Sequence, residues 1–312
     1  AIDLRVSIMP RVHGEDAVIR IPDKESISEQ FPELKLDILG FPELELRRFR
    51  KYIREPYGMV LVTGPTGSGK TTTLNYMIDR INSEHRCKII TIEDPIEFVH
   101  QNRRAIIVQQ EVSTDTKSFQ GALTHVLRQD PDVIVVGEMR DHETVETALL
   151  AAETGHLVFS TLHTLDATET VNRIIAVFPP HQQRQVRIQL ASVLKAAIAQ
   201  RLLPRADGLG RVPAIEVMIA TPFIRDCIID KDRTALIHGA IASGTSQYGM
   251  QTFDQSIFNL FQQGFVTLDE ALRWASNVDE FKLKVQGIST TADLARDEMA
   301  RGGAPEITRF GG

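Results

Sequence analysis

The chain has 312 residues, of which 42% are hydrophobic and 24% charged, and its formal net charge is −6. This composition is typical of a globular protein that buries a core, and the length suggests about two domains. The negative balance argues against nucleic acid as the main partner, because phosphate backbones are bound by basic surfaces. The sequence contains no apolar run of about 18 residues or more, and its first residues do not resemble a signal peptide. We therefore expect a cytoplasmic protein that contacts a membrane only through partners.

The start of the chain predicts a β-hairpin. Apolar Leu4, Val6 and Ile8 alternate with polar residues, and a second strand over residues 17–21 follows a turn at residues 13–16. Because an isolated hairpin is only marginally stable in water, we interpret residues 1–25 as the tail of a domain whose front is missing. The next segment, residues 26–42, is interpreted as a linker.

Residues 43–220 are predicted to form an α/β core, because strand and helix patterns alternate from Met59 onward. Strands are predicted over residues 59–63, 88–92, 105–109, 132–136 and 157–161. Helices are predicted over residues 70–83, 118–128, 142–153 and 166–177. The run Val133–Val136 is apolar throughout, which is typical of parallel strands that helices cover on both faces.

The rest of the chain is predicted to be mainly helical. A long helix is predicted over residues 181–203 and a strand over residues 213–218. Residues 221–300 are predicted to form a helical C-terminal subdomain, because apolar residues such as Phe253, Ile257 and Leu260 recur at helical spacing. The Gly-rich residues 301–312 are interpreted as a flexible tail.

A phosphate-binding loop is the most specific motif of the sequence. Residues 64–71 read GPTGSGKT, which matches G-x-x-x-x-G-K-[ST] between a predicted strand and a predicted helix. The glycines allow the backbone N–H groups to surround an anion, Lys70 is expected to reach the β- and γ-phosphates, and the Thr71 hydroxyl is expected to bind Mg²⁺. We therefore predict that ATP is bound by Gly64, Pro65, Thr66, Gly67, Ser68, Gly69, Lys70, Thr71 and Thr72.

Acidic residues follow two of the predicted strands. Glu138 ends the run DVIVVGE over residues 132–138, as in a Walker B strand, and is predicted to hold Mg²⁺ together with Thr71. Glu93, Asp94 and Glu97 follow the strand over residues 88–92. Because three neighbouring carboxylates repel one another, a cation or a charged reaction centre would stabilise them, and the alternative is a polar loop.

Two histidines, His156 and His163, flank the strand predicted over residues 157–161. Strand ends at the edge that carries a phosphate loop lie near the γ-phosphate. We therefore predict that both histidines contact the phosphates, and the alternative for each is a purely structural histidine.

Four motifs together resemble the secretion and pilus ATPases of type II secretion and of type IV pilus assembly and retraction. They are GPTGSGKT at residues 64–71, TIEDPIEF at 91–98, LRQDPDVIVVGEMRD at 127–141 and TGHLVFSTLHT at 154–164. The resemblance extends over about residues 1–285. It implies a RecA-like P-loop NTPase core, a PAS-like α+β segment before it that is partial here, and a helical C-terminal region. It also implies a homo-hexamer that hydrolyses ATP with Mg²⁺ and drives an inner-membrane platform protein from the cytoplasmic side.

The resemblance also implies roles for individual residues. Glu93 resembles the carboxylate that activates water, with Glu97 in support, and Glu138 resembles the Walker B acid. Which of Glu93 and Glu138 is the general base stays open. Arg5 and Arg20 match arginines that reach the phosphates from the N-terminal domain, and surface arginines on a hairpin are the alternative.

The branch of the family stays open between retraction, assembly and secretion. The sequence lacks the four-cysteine zinc site that assembly and secretion proteins usually carry, and GMQTFDQSI at residues 249–257 resembles retraction proteins. The N-terminal hairpin instead resembles secretion and assembly proteins. The segment FIRDCII at residues 223–229 matches the retraction signature only in part.

Two other functions are alternatives to such a motor. Helicases share the RecA-like core, so the first alternative is a nucleic-acid-dependent motor, although the sequence has no stripe of aromatic and basic residues. The second is a nucleotide-binding switch with little turnover.

Overall fold

The structure of the chain, a computed structural model, describes residues 5–12, 14–20 and 53–287. The N-terminal part is an antiparallel hairpin of strands β1 (Arg5–Arg11) and β2 (Gly14–Arg20), with Arg5 opposite Arg20. The second strand begins at Gly14, three residues before the predicted start. The linker at residues 26–42, the beginning of the predicted core up to residue 52 and the tail at residues 301–312 lie outside the described residues.

Within the described residues, the core is built on a seven-stranded sheet. Its strands are β3 (Gly58–Thr63), β4 (Lys88–Glu93), β5 (Ile106–Glu111), β6 (Val133–Val136), β7 (Leu157–Leu162), β8 (Leu194–Pro204) and β9 (Arg211–Ile219). The order across the sheet is β5-β4-β6-β7-β3-β8-β9, and only β9 runs antiparallel to its neighbour. The predicted α/β fold class is thereby confirmed.

Five helices connect the parallel strands. They are α1 (Lys70–Glu84), α2 (Phe119–Val126), α3 (His142–Glu153), α4 (Ala167–Ala176) and α5 (Gln183–Val193). Side-chain caps begin several of them: Asp141 accepts from the Thr144 N–H, and Asp166 from the Glu169 N–H. Such caps satisfy N–H groups that have no partner inside the helix.

The core lies on both faces of the sheet. All six residues of β3 are buried, and they alternate between two apolar clusters. Met59 and Leu61 belong to the cluster on one face, and Val60 and Val62 to the cluster on the other. This two-sided burial explains why the central strands are apolar runs without alternation.

Beyond β9 the described elements are helical. They are α6 (Pro222–Ile229), a 3₁₀ helix (Lys231–Leu236), α7 (Ile237–Ser243), α8 (Thr245–Tyr248), α9 (Phe253–Gln262), α10 (Leu268–Trp274) and α11 (Val278–Val285). A third apolar cluster joins the last three of them to β8 and β9, with Phe253 and Phe281 packed near Ala199 and Leu203. None of the helices in the described ranges is long and apolar enough to cross a membrane.

The prediction of one long helix over residues 181–203 is wrong for the second half of this segment. Helix α5 ends at Val193, and residues 194–204 form strand β8, which pairs in parallel with β3. The segment LKAAIAQRLL is rich in alanine and leucine, which favour a helix. The strand forms because β3 has an open side for hydrogen bonding, so tertiary pairing overrides local propensity.

Candidate functional site

One edge of the sheet carries the candidate site. Strands β3, β4, β6 and β7 run in parallel, so their carboxyl ends meet there. A cavity of about 560 Å³ opens at this edge, and Lys70, Glu93, Glu138 and His163 all line it. The structure therefore brings four of the predicted site residues together, from four different elements.

The phosphate loop takes its shape from glycines. Gly64, Gly67 and Gly69 have φ angles of 143°, 77° and 87°, which residues with a side chain rarely adopt. A Cβ on Gly64 would also lie only 2.3 Å from the backbone oxygen of Gln200. No side chain among the described residues caps α1, which begins directly after Gly69. Its first N–H groups are thus suited to bind an anion.

Lys70 is the cation at the centre of the loop. Its side chain is buried, and Nζ donates to the carbonyl oxygens of Gly64 at 2.8 Å and Pro65 at 3.1 Å. Burial lowers the pKa of Lys70, and the negative charges of Glu138 and Glu97 oppose this change. A polyphosphate would offer the ammonium group of Lys70 charged acceptors, which form stronger hydrogen bonds than the two neutral carbonyl oxygens do.

The segment Gly64–Thr72 divides into residues that line the cavity and residues that shape the loop. The lining residues are Thr66, Gly67, Gly69, Lys70, Thr71 and Thr72. The other three, Gly64, Pro65 and Ser68, are not among them. Gly64 and Pro65 accept from Lys70, and the Ser68 backbone oxygen accepts from the side chain of Gln200.

Glu138 stands where β6 ends, next to the end of β7. The Thr161 hydroxyl donates to the Gly137 carbonyl at 2.6 Å, which holds the two strand ends together. Oε1 of Glu138 lies 3.1 Å from Nε2 of His163, and Oε2 lies 2.6 Å from a guanidinium nitrogen of Arg140. Burial raises the pKa of Glu138, but the hydrogen bond and charge of Arg140 and the charges of His163 and Lys70 outweigh it and leave this pKa lowered. The carboxyl group is therefore ionised at neutral pH.

His163 bridges the acid and the lysine. Its Nε2 faces Glu138, and its Nδ1 lies 3.5 Å from Nζ of Lys70. In a neutral ring, this arrangement places the proton on Nε2 and leaves Nδ1 as the acceptor. The imidazole thus lies between the carboxyl group of Glu138 and the ammonium group of Lys70.

Glu93 is a buried carboxyl group at the end of β4. Its side chain is 8% exposed, and Oε1 accepts from the Thr91 hydroxyl at 2.7 Å and from Nε2 of Gln109 at 3.1 Å. Burial raises the pKa of Glu93, with a further contribution from Glu97, and the hydrogen bonds oppose the change only in part. A carboxylate with a raised pKa is a stronger base, as a group that takes a proton from water requires.

The prediction that His156 contacts the phosphates needs correction. His156 precedes β7, whereas His163 follows it, so the two residues lie at opposite ends of this strand. Nδ1 of His156 lies 2.9 Å from the Ala151 carbonyl, and the His156 carbonyl accepts from the Gly58 N–H. These contacts join β7 to α3 and β3, far from the cavity.

Arg5 and Arg20 are paired across the backbone of the hairpin, and their side chains lie outside what the structure describes. Their predicted contact with the phosphates therefore stays a prediction.

Sequence reasoning missed a residue that supports the phosphate loop. Gln200 lies on β8 and is 1% exposed. Its Nε2 donates to the Ser68 carbonyl, and its Oε1 accepts from the Thr73 hydroxyl at 2.9 Å. The amide thus connects the loop to the first turn of α1. The residue was missed because β8 was predicted as helix.

The chain is similar to known proteins over most of its length. Residues 1–218 match the family model for type II/IV secretion system proteins. A twitching motility protein of Neisseria gonorrhoeae is 50% identical over 244 residues, which are 78% of this chain and 64% of that protein. The type IV pilus retraction ATPase PilT of Pseudomonas aeruginosa is 44% identical over 278 residues, 89% of this chain and 76% of that protein. A crystal structure of the pilus retraction motor PilT with bound ADP superposes with a TM-score of 0.73 at 44% identity, covering 89% of this chain and 75% of that one.

Proposed function

The chain belongs to the family of type II/IV secretion system proteins, and we propose that it is an ATP-hydrolysing motor that powers retraction of a type IV pilus. The observation that carries the proposal is the shared cavity of Lys70, Glu93, Glu138 and His163 at the carboxyl edge of the sheet. Retraction is favoured within the family because the sequence identity is 50% to the twitching motility protein and 44% to the retraction ATPase.

The donors in the cavity fit ATP and Mg²⁺. The uncapped start of α1 and the ammonium group of Lys70 would bind the phosphates. In the described ranges no group of three or more His, Cys, Asp and Glu side chains is arranged to hold a metal ion. Nucleotide-bound Mg²⁺ needs few protein ligands, so the Thr71 hydroxyl and the Glu138 carboxylate would be sufficient. When bound, Mg²⁺ would neutralise the negative charge that develops on the phosphate oxygens during hydrolysis.

The opposite pKa shifts of Glu138 and Glu93 support different roles for the two acids. Glu138, whose pKa is lowered by the neighbouring positive groups so that it is ionised, can supply a carboxylate ligand to the metal. Glu93, whose pKa burial raises, suits the general base that takes a proton from the water attacking the γ-phosphorus. His163 would stabilise the phosphate from its place between Glu138 and Lys70 and respond when the γ-phosphate leaves.

The assembly is part of the proposal. A homo-hexamer would place the N-terminal domain of each subunit near a nucleotide, where Arg5 and Arg20 would neutralise charge on the phosphates. Closure on ATP and release after hydrolysis would transmit force to an inner-membrane platform protein from the cytoplasmic side. A nucleic-acid-dependent motor is not supported, given the net charge of −6 and relatives that are pilus proteins.

The test is the substitution Lys70→Ala, compared with Lys282→Ala on the exposed side of α11. We expect Lys70→Ala to lower ATP turnover by at least roughly 100-fold with an unchanged circular dichroism spectrum, and Lys282→Ala to be normal. Normal turnover in Lys70→Ala would refute ATP hydrolysis at this site. Deletion of the gene distinguishes a retraction motor from an assembly motor, since over-long pili indicate retraction and absent pili indicate assembly.

A further inference from the structure

Gln109 lies on β5, the strand beside β4, and its amide faces the carboxyl group of Glu93. Each polar atom of this amide has a partner. Oε1 accepts from the His100 backbone N–H at 2.8 Å. Nε2 donates to the Phe98 carbonyl at 2.9 Å and to Oε1 of Glu93 at 3.1 Å. A flipped amide would place its oxygen against two acceptors and its nitrogen against a donor, so the orientation is determined by the network.

The hydrogen bonds of Gln109 continue to α1, the helix that follows the phosphate loop. His100 is 8% exposed, and its Nε2 lies 2.8 Å from Oδ1 of Asn75 on α1. Burial lowers the pKa of His100 to about 4, so the ring is neutral and Nε2 donates to the Asn75 oxygen. The loop that follows Glu93 is thereby attached both to β5, through Gln109, and to the helix that begins at Lys70.

The hydrogen bonds to Glu93 are unequally divided between its two oxygens. Oε1 accepts from Thr91 and from Gln109, and the Glu97 backbone adds one more hydrogen bond to the carboxyl group. A carboxylate oxygen has two lone pairs, so two donors saturate Oε1. The donors among the described residues leave no lone pair free on Oε1, so a free lone pair remains on Oε2 alone.

We propose that Gln109 is a positioning residue for hydrolysis: its amide holds Oε1 of Glu93, so that Oε2 is the oxygen that receives the proton of the attacking water. The inference rests on the proposed function, in which Glu93 is the general base. Gln109 itself is not among the residues that line the cavity.

The hydrogen bond from Gln109 also favours the ionised form of Glu93. Because the base must be ionised, activity is present above its pKa and is lost as the pH falls through that pKa. Removal of the Gln109 donor raises the pKa of Glu93 and moves the acid limb of the profile of turnover against pH to higher pH. The other charged groups that face Glu93 around the cavity are unchanged by such a substitution; they are Lys70, Asp94, Glu97, Glu138, Arg140 and, when protonated, His163.

The experiment measures ATP turnover of the full-length protein against pH for Gln109→Met, which keeps the side-chain length and removes the donor. We expect the acid limb to move up by about one pH unit, so that kcat on that limb falls about tenfold. The KM for ATP should change less than about twofold, because Gln109 is outside the cavity. Gln110→Met is the matched control. Gln110 neighbours Gln109 on β5, is also half-buried, and its Oε1 has no partner among the described residues; its profile should equal that of the wild type.

Circular dichroism of Gln109→Met shows whether its fold is kept, and a second variant tests the effect of charge on Glu93. Gln109→Glu keeps an acceptor for the His100 N–H but removes the donor and adds a like charge, so the acid limb should move further. Glu93→Gln separates the two proposals. If Glu93→Gln is inactive while both Gln109 profiles coincide with the wild type, the positioning role is refuted and the base stands. If Glu93→Gln retains full turnover, Glu93 is not the base and the positioning role is refuted with it.

Discussion

His156 and His163 lie at opposite ends of β7, and only His163 lines the cavity. The two residues are seven positions apart along an extended strand, so their Cα atoms are separated by about 23 Å. His163 contacts Glu138 and approaches Lys70, whereas His156 contacts the end of α3. The two histidines of one motif therefore lie in different surroundings, and only His163 is placed to contact a ligand in the cavity.

The histidine pair leads to the first prediction. His163→Ala should lower kcat on the order of 100-fold, because the variant would lose the polar contact with the phosphates that we propose for His163. His156→Ala should leave kcat within about threefold and lower the free energy of unfolding by about 1 kcal/mol, since it loses hydrogen bonds to the backbone. Steady-state kinetics and chemical unfolding of both variants provide the measurement. Equal losses of kcat would contradict the assignment.

Glu138 is predicted to be required for the metal. Glu138→Gln removes the negative charge that suits Mg²⁺, so half-maximal activity should need at least about tenfold more Mg²⁺. The measurement is a titration of ATP turnover with MgCl₂. Glu146→Gln, on the exposed side of α3, is the control and should titrate like the wild type. An unchanged Mg²⁺ requirement in Glu138→Gln would argue for another ligand.

Gln200 is predicted to set nucleotide affinity rather than chemistry. Gln200→Leu removes the bonds to Ser68 and Thr73 that shape the phosphate loop. The Kd for ATP should rise about tenfold, which corresponds to about 1.4 kcal/mol. Isothermal titration calorimetry is suitable, with Gln185→Leu on the exposed side of α5 as control. Wild-type affinity in Gln200→Leu would show that the loop keeps its shape without the amide.

Glu216 is predicted to make stability depend on pH. Its side chain on β9 is 3% exposed and accepts from the Ala167 N–H at 2.9 Å. Burial raises the pKa of Glu216 from 4.5 to about 7; the Ala167 hydrogen bond and Arg201 oppose this, and Asp166 adds to it. The folded state therefore binds more protons than the unfolded state between these pH values, and stability falls as the pH rises through this window.

Glu216→Gln keeps an acceptor for the Ala167 N–H and removes the titration. Its stability relative to the wild type should improve between pH 4.5 and 7.5, by up to roughly 3 kcal/mol. Urea unfolding at several pH values gives this difference directly. A constant difference across the range would mean that Glu216 does not titrate there. The exposed Glu146→Gln should show no such trend.

Much of the site was predictable because its signals are local. The phosphate loop needs glycines, a lysine and a threonine at set positions in one stretch, and each requirement is met within residues 64–71. The acids Glu93 and Glu138 directly follow apolar runs, and the ends of parallel strands meet at one edge. Their common cavity follows from strand direction, which the sequence pattern already indicated.

Strand β8 and the residues that support the site could not be predicted in this way. The segment over residues 194–204 suits a helix locally, and it is a strand only because it pairs with β3. The contacts of Gln200 with the loop and of Gln109 with Glu93 depend on which strands are neighbours and on their register. The placement of His156 depended on strand direction alone and could have been corrected from the sequence.

Local patterns of a few neighbouring residues are enough to predict the members of the candidate site: a phosphate loop, two acids and a histidine. The atoms that face one another, such as Oε1 of Glu93 with Gln109 and Glu138 with His163, are known only from the folded chain. The two kinds of information differ because the underlying interactions act over different distances along the chain. Backbone conformation and hydrophobic period act over a few residues, whereas hydrogen bonds between strands join positions whose separation along the chain carries no signal.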